Sequence, residues 1–152
     1  MKVDIDISQK IEENKSSYLG MGGAYQASLV LQKREKQLLF KLTQQKEDKR
    51  RRKRRSKIRQ IVRIYAILCF LLIKDMPRNI TVVLVDRDYY GHSDEILGHL
   101  KNLMRNEGLD PYRIDFEFGD ASKGAAHEIA KDARLGLRQS LEASAEEIMS
   151  YY

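Results

Sequence analysis

A single cysteine, Cys69, is all that this chain of 152 residues contains. One thiol cannot build a disulfide framework, so a packed core must hold the fold, and a reducing, cytoplasmic setting is expected. Cys69 lies inside an apolar run, where a buried, inert thiol is expected. Long hydrophobic runs are missing too. The longest, Ile64 to Ile73, spans ten residues, too few to cross a bilayer and well suited to a buried core helix. No membrane partner is therefore expected. The opening residues MKVDIDISQK carry acids where a secretory leader needs an apolar stretch. The three histidines, His92, His99 and His127, are too scattered for a local zinc motif. No internal repeat is visible. The glycines of Tyr18 to Gly23 (YLGMGG) have no Gly-Lys-Ser/Thr behind them, so they read as turn chemistry rather than a phosphate loop.

What the chain does have fits one globular domain over residues 1–152. Hydrophobic residues make up 42% and charged residues 33%, enough apolar side chains for one core. The net charge of +6 has a local origin. Seven consecutive cations, Lys49, Arg50, Arg51, Arg52, Lys53, Arg54 and Arg55, lie in a basic segment at 46–57. Setting them aside leaves 21 basic against 22 acidic residues. Such a block favours a polyanion, DNA or RNA, through its phosphates and without reading sequence. A solvated loop or a sorting signal is the blander alternative.

Periodicity gives the element order. Lys2 to Ser8 alternates, with Val3, Ile5 and Ile7 on one face and Asp4 and Asp6 on the other, as a half-buried strand does. Two acids on one strand face require solvent, a metal or a basic neighbour. Tyr18 to Gly23 is a candidate short strand. Helical spacing is expected from Ala24 to about Gln45, and a second helix from about Lys57 to Lys74, apolar on all sides from Ile64 to Ile73. Pro77 ends that region. Ile80 to Asp86 then reads as a strand buried on both faces. A helix follows with Ser93 as its cap and Gly108 at its close. Tyr112 to Phe118 alternates as a strand with Tyr112, Ile114, Phe116 and Phe118 inward. The last helix is expected from about Lys123, capped by Ser122, with Leu141 to Met149 either extending it or fraying. Strand and helix alternate in the second half, so parallel pairing through crossovers is expected there.

The acids carry the candidate chemistry. Asp86 and Asp88 stand at the carboxyl end of a buried strand, where open α/β sheets place ligands. If that strand pairs in parallel with the first, Asp6 becomes a neighbour of Asp86, with Asp4 the alternative on the same face. Convergent carboxylates of this kind hold two divalent cations for phosphodiester hydrolysis. Hard cations such as Mg2+ or Mn2+ prefer these oxygens.

The last helix reads Ala126-His127-Glu128-Ile129-Ala130-Lys131-Asp132-Ala133. It resembles the final catalytic helix of ribonucleases H, of the form Ala-Asp-Glu-Leu-Ala-Lys-Glu-Ala. Val3 to Ser8 resembles that family's opening Asp strand, and Val83-Leu84-Val85-Asp86 its central one. The resemblance implies a ribonuclease H-like three-layer α/β fold, a mostly parallel sheet with helices on both faces. It also implies a metal-dependent nuclease with Asp6, Asp86 and His127 at its centre, aided by Glu128 or Asp132. Three departures accompany it. His127 stands where the family has a metal-binding Asp. The N-terminal hairpin looks reduced. The first helix lacks the family's early acid, for which Glu35 is the nearest candidate.

Two other readings compete. Asp86-Arg87-Asp88, with Gly91 and a following helix, resembles the second motif of Toprim domains, nuclease or primase-type modules in which Asp88 would be essential. Those domains need a Glu on an earlier strand, and Met1 to Ser8 offers Asp. In the third reading the chain is a non-catalytic nucleic-acid-binding module whose acids are structural. The apolar second helix is large for so small a domain, and a homodimer interface is one way to bury it.

Overall fold

The alternation of Lys2–Ser8 becomes β1, a central strand of a six-stranded sheet ordered β5-β4-β1-β2-β3-β6. The computed structural model describes residues 1–49 and 57–152. The strands are β1, β2 (Ser17–Gly23), β3 (Ala27–Leu31), β4 (Val82–Asp86), β5 (Asp115–Gly119) and the two-residue β6 (Leu141–Glu142). β2 runs antiparallel to both neighbours, whereas β4, β5 and β6 pair in parallel. The sheet is thus mixed and mostly parallel. The helices α1 (Lys33–Lys49), α2 (Lys57–Ile73), α3 (Ser93–Asn106), α4 (Ala125–Arg134) and α5 (Ala145–Tyr151) cover both faces. This is the three-layer α/β architecture expected.

Strand alternation sorts the two faces. Val3, Ile5 and Ile7 of β1, with Leu19 and Met21 of β2, are buried in the main core. That core includes every residue of α2 from Ile64 to Ile73. On the other face Asp4 and Asp6 pair with Gly22 and Gly20, and α4 lies over them. α2 is therefore wrapped by this chain's own sheet and helices. Ile61, Val62 and Ile64 to Ile73 are all buried within this chain, with Ile58 exposed at its start, and the dimer interface suggested by its composition is not needed to bury that stretch. Cys69 is fully buried within it, and burial pushes its thiol up to about 12, as expected of an inert core cysteine.

Several local expectations change. Helix was expected from Ala24, but Ala27–Leu31 is β3 and α1 begins only at Lys33. Leu29-Val30-Leu31 is continuously apolar, so its sequence does not separate a period of 2 from 3.6. Pairing with β2 decides it. The N-terminal hairpin is accordingly a three-stranded antiparallel meander rather than a reduced one. His92, not Ser93, occupies the cap position of α3 and makes no side-chain cap bond. Pro111–Arg113 forms a 3-10 turn, so Tyr112 is 77% exposed instead of inward. Its ring lies beneath the Lys101 and Arg105 side chains. α4 starts at Ala125 with Gly124 as its cap, and Ser122 bonds Asp120 instead. The tail does not extend α4. It forms β6 and then α5, capped by Ser144.

Among the described residues no helix is long and apolar enough to cross a membrane. The expected phosphate contact at Lys49 to Arg55 lies outside the described residues beyond the backbone of Lys49, where α1 ends.

Candidate metal centre

Small residues bring the site together. Gly20 and Gly22 alternate on the α4 face of β2, and Ala126, Ala130 and Ala133 recur on the buried face of α4. A Cβ at Gly20 would sit 2.4 Å from the Ala126 carbonyl oxygen and 2.6 Å from the Ala130 nitrogen. One at Gly22 would lie 2.6 Å from the Ala126 nitrogen. Both contacts are with backbone, which cannot swing aside. Glycine here serves close helix–sheet approach rather than a turn. The consequence is positional: the first turn of α4 is held against the acidic face of β1.

Asp4 and Asp6 meet that turn differently. Asp4 Oδ2 accepts from the Ala126 amide at 3.3 Å, capping a helix N-terminus where a carboxylate is favoured. A Cβ on Gly124 would collide with it at 2.0 Å. Asp6, only 4% exposed, pairs its Oδ2 with His127 Nδ1 at 2.8 Å, while its Oδ1 accepts from the Ile7 amide at 2.9 Å.

The parallel register carries β4 beside β1, with Ile5 opposite Val85, and so delivers Asp86. Asp86 is 8% exposed and accepts from the Ala121 amide at 2.6 Å through Oδ1. Asp88 follows in the β4–α3 loop. Asp6, Asp86 and Asp88 each offer a carboxylate oxygen within 4.8 Å of the others. Asp88 Oδ2 is shielded from solvent and has no hydrogen-bond partner, which is rare for a buried polar atom.

Like charges in a partly dry site resist ionisation. Burial raises the Asp6 carboxyl, and the neighbouring Asp86 charge adds to this against the opposing bond from His127. Burial first, then the adjoining Asp86 carboxyl and the charges of Asp86 and Asp6, pushes Asp88 up to about 8. Lys10 pulls it slightly back. A cation among these oxygens would relieve both penalties. The donor set is all carboxylate with one open oxygen, and this fits a hard divalent cation.

The loop bearing Asp88 is fastened from below. Lys10 Nζ donates to the Asp88 carbonyl at 3.2 Å. Tyr89 OH donates to Glu12 and accepts from the Ile11 amide, both at 3.1 Å, and its ring packs on Tyr65. The segment between β1 and β2 is held in turn by buried Lys36. Its ammonium donates to the carbonyls of Lys10 and Glu13 at 3.3 and 3.1 Å and to Ser17 Oγ at 2.7 Å.

Of the residues expected to ligate metal, the structure groups Asp6, Asp86 and Asp88, with His127 bonded to the first. Asp4 stands outside the group as a helix cap. Asp132 and Glu128 lie on α4 away from it, and Glu35 is in the first turn of α1. Neither Asp132 nor Glu35 belongs to the carboxylate cluster among the described residues. Lys10, Lys36, Tyr89 and Ala121 were not legible as site residues, because each contributes through a contact distant in sequence. Gly20 and Gly22 were expected as turn chemistry and instead lie within β2 against α4; their spacing by two, facing alanines spaced by three or four on a helix, is the signal that marks faces that touch. No family model matches this chain, and no curated protein or solved structure shows significant similarity to it.

Proposed function

We propose that this chain is a divalent-metal-dependent nuclease that hydrolyses phosphodiester bonds, built on a ribonuclease H-like plan. The observation that carries this reading is the meeting of three carboxylates from β1, β4 and the β4–α3 loop, one with an unpartnered buried oxygen. Asp6, Asp86 and Asp88 would hold the metal. When bound, the divalent ion supplies charge for the phosphate and makes a bound water a nucleophile at neutral pH.

The residues of the chain do the rest. The Ala121 amide fixes the Asp86 carboxylate, and the Ile7 amide fixes Asp6. His127 directs Nδ1 at Asp6, so its Nδ1–H tautomer leaves Nε2 as a proton acceptor. Its side chain is 46% exposed, so Nε2 can exchange a proton with water or a leaving oxygen. The same hydrogen bond orients the metal-binding carboxylate, as outer partners of ligands do.

Incubation of the full chain with single-stranded and duplex DNA and RNA, hybrids and junctions in Mg2+ or Mn2+ tests this. Metal-dependent cleavage of at least one, lost in Asp86→Asn, is expected. A second reading rests on the seven-cation block, with the chain as a non-catalytic nucleic-acid-binding module. Salt-sensitive binding without cleavage of any substrate, unchanged by metal or by Asp86→Asn, would establish it and sink the nuclease. The Toprim-like reading shares Asp86 and Asp88 but gives His127 no role. Full cleavage by His127→Ala would favour it.

A further inference from the structure

The segment between β1 and β2, residues 9–16, has little of its own to hold it. It is polar apart from the buried Ile11. Gln9 takes a left-handed φ of 62°, which is costly for a residue other than glycine. The carbonyls of Lys10, Glu13 and Lys15 all converge on one point. Carbonyl oxygens aimed together repel one another, and a cation among them reverses the sign.

That cation is the Lys36 ammonium, on a residue only 3% exposed in the first turn of α1. It donates to the Lys10 and Glu13 carbonyls at 3.3 and 3.1 Å, to the Lys15 carbonyl, and to Ser17 Oγ at 2.7 Å. An ammonium has three N–H groups, so four oxygens around it form a coordination shell rather than a set of separate bonds. Carbonyl shells of this kind replace water around K+. Burial lowers the Lys36 pKa to about 8, against the charges of Glu13 and Glu12, so the side chain is still charged at neutral pH.

From this cage, contacts run without a gap to the acid cluster. Lys10 sends its own Nζ to the Asp88 carbonyl at 3.2 Å. Ile11 donates its amide to Tyr89 OH, which donates to Glu12, both at 3.1 Å. Three successive residues of the segment thus hold two successive residues of the β4–α3 loop. Asp88 needs this hold more than its neighbours do. The carboxylates of Asp6 and Asp86 are each fixed by a backbone amide, whereas Asp88 Oδ2 has no partner. The path of its backbone is what places it.

We infer that Lys36 is a tethered cation that orders residues 9–16 and through them positions Asp88 for the metal. It is a positioning residue, remote from the reacting atoms. Its consequence for metal rests on the metal-site reading of the acid cluster; the coupling between the two segments does not.

The test pairs hydrogen–deuterium exchange with calorimetric Mn2+ titration of the full chain. Lys36→Met keeps the length of the side chain and removes the charge. It is expected to speed exchange in residues 9–16 and 87–91 and to weaken Mn2+ binding about 10-fold, the low end for outer partners of metal ligands. Leu68→Ala, which loosens the core, should leave the affinity of the folded protein unchanged. Tyr89→Phe cuts the connection at its middle and serves if Lys36→Met does not fold. It should loosen residues 87–91 and weaken Mn2+ binding while exchange at residues 13–17 stays as it was. Faster exchange confined to residues 9–16, with Mn2+ affinity intact, overturns the inference. Uniformly faster exchange, as in Leu68→Ala, overturns it too. If the unsubstituted protein takes up no Mn2+ yet both segments loosen together in Lys36→Met, the coupling stands and the metal site falls. Mn2+ binding lost in Asp88→Asn but untouched in both Lys36→Met and Tyr89→Phe keeps the metal site and removes the positioning role.

Discussion

The two faces of the sheet are packed in opposite ways. On one, α2 presents a continuous surface of large aliphatic and aromatic side chains, from Ile61 to Ile73, against Val3, Ile5, Leu19 and Met21. On the other, α4 brings alanines onto glycines, and backbone meets backbone. The first arrangement produces stability through buried area. The second buries little, yet it sets where His127 and the first turn of α4 stand relative to Asp6. Large side chains repack when disturbed. A helix resting on glycine cannot move closer, and any added atom lifts it away.

Substitutions at the cluster should give the largest effect. Asp86→Asn is expected to reduce metal-dependent cleavage by more than about 100-fold while the chain stays folded. His127→Ala, which removes an outer partner of a ligand, should cost about 10–100-fold. Cleavage rates read beside circular dichroism check both, and equal losses would remove the distinction between ligand and partner.

The next contrast separates stability from geometry. Leu68→Ala on the α2 face should destabilise by about 2–5 kcal/mol, with metal affinity of the folded protein unchanged. Gly20→Ala should destabilise by only about 1–3 kcal/mol and yet weaken metal binding markedly. Urea denaturation paired with calorimetric metal titration measures both. If Leu68→Ala weakened metal binding more than Gly20→Ala, the proposed division of labour between the faces would be wrong.

A smaller effect follows from pH. The folded Asp88 carboxyl lies at about 8, above its ordinary value of 3.8, and Asp6 is also raised. An acid raised on folding adds stability below its unfolded pKa, and that stability is lost as pH climbs through the folded value. Metal-free protein should therefore become less stable from about pH 4 to about pH 8. Asp88→Asn should flatten this slope and raise the Tm near pH 8 by about 3 °C, a ~1 kcal/mol effect in a chain of this size. Saturating Mg2+ should stabilise the unsubstituted protein more at pH 8 than at about pH 5 and do little for the variant. Equal metal stabilisation of both would exclude Asp88 from the site.

Legibility followed sequence distance. β1, α2, β4 and α3 were readable because each has a clean local period: alternation in Lys2–Ser8, an all-apolar helix, an apolar strand, and a stripe of Ile96, Leu100, Leu103 and Met104. β3 was not, since Leu29 to Leu31 is apolar on every side and its pairing with β2 alone distinguishes strand from helix. Within the site, Asp6 and Asp86 were visible as acids on strands. The exclusion of Asp4 was not, because Asp4 and Asp6 share a face and differ only in which part of α4 lies above them. Asp4 meets the Ala126 amide, and Asp6 meets an imidazole.

The sequence by itself determined the layers of this protein and the supply of acids to the carboxyl ends of its strands, because burial period and residue type are local properties. Only the tertiary structure decided that Asp6, Asp86 and Asp88 share one site while Asp4, Asp132 and Glu35 do not. That choice depends on the parallel register of β1 with β4 and on how closely α4 descends onto Gly20 and Gly22. Both are set by contacts between segments far apart in the chain.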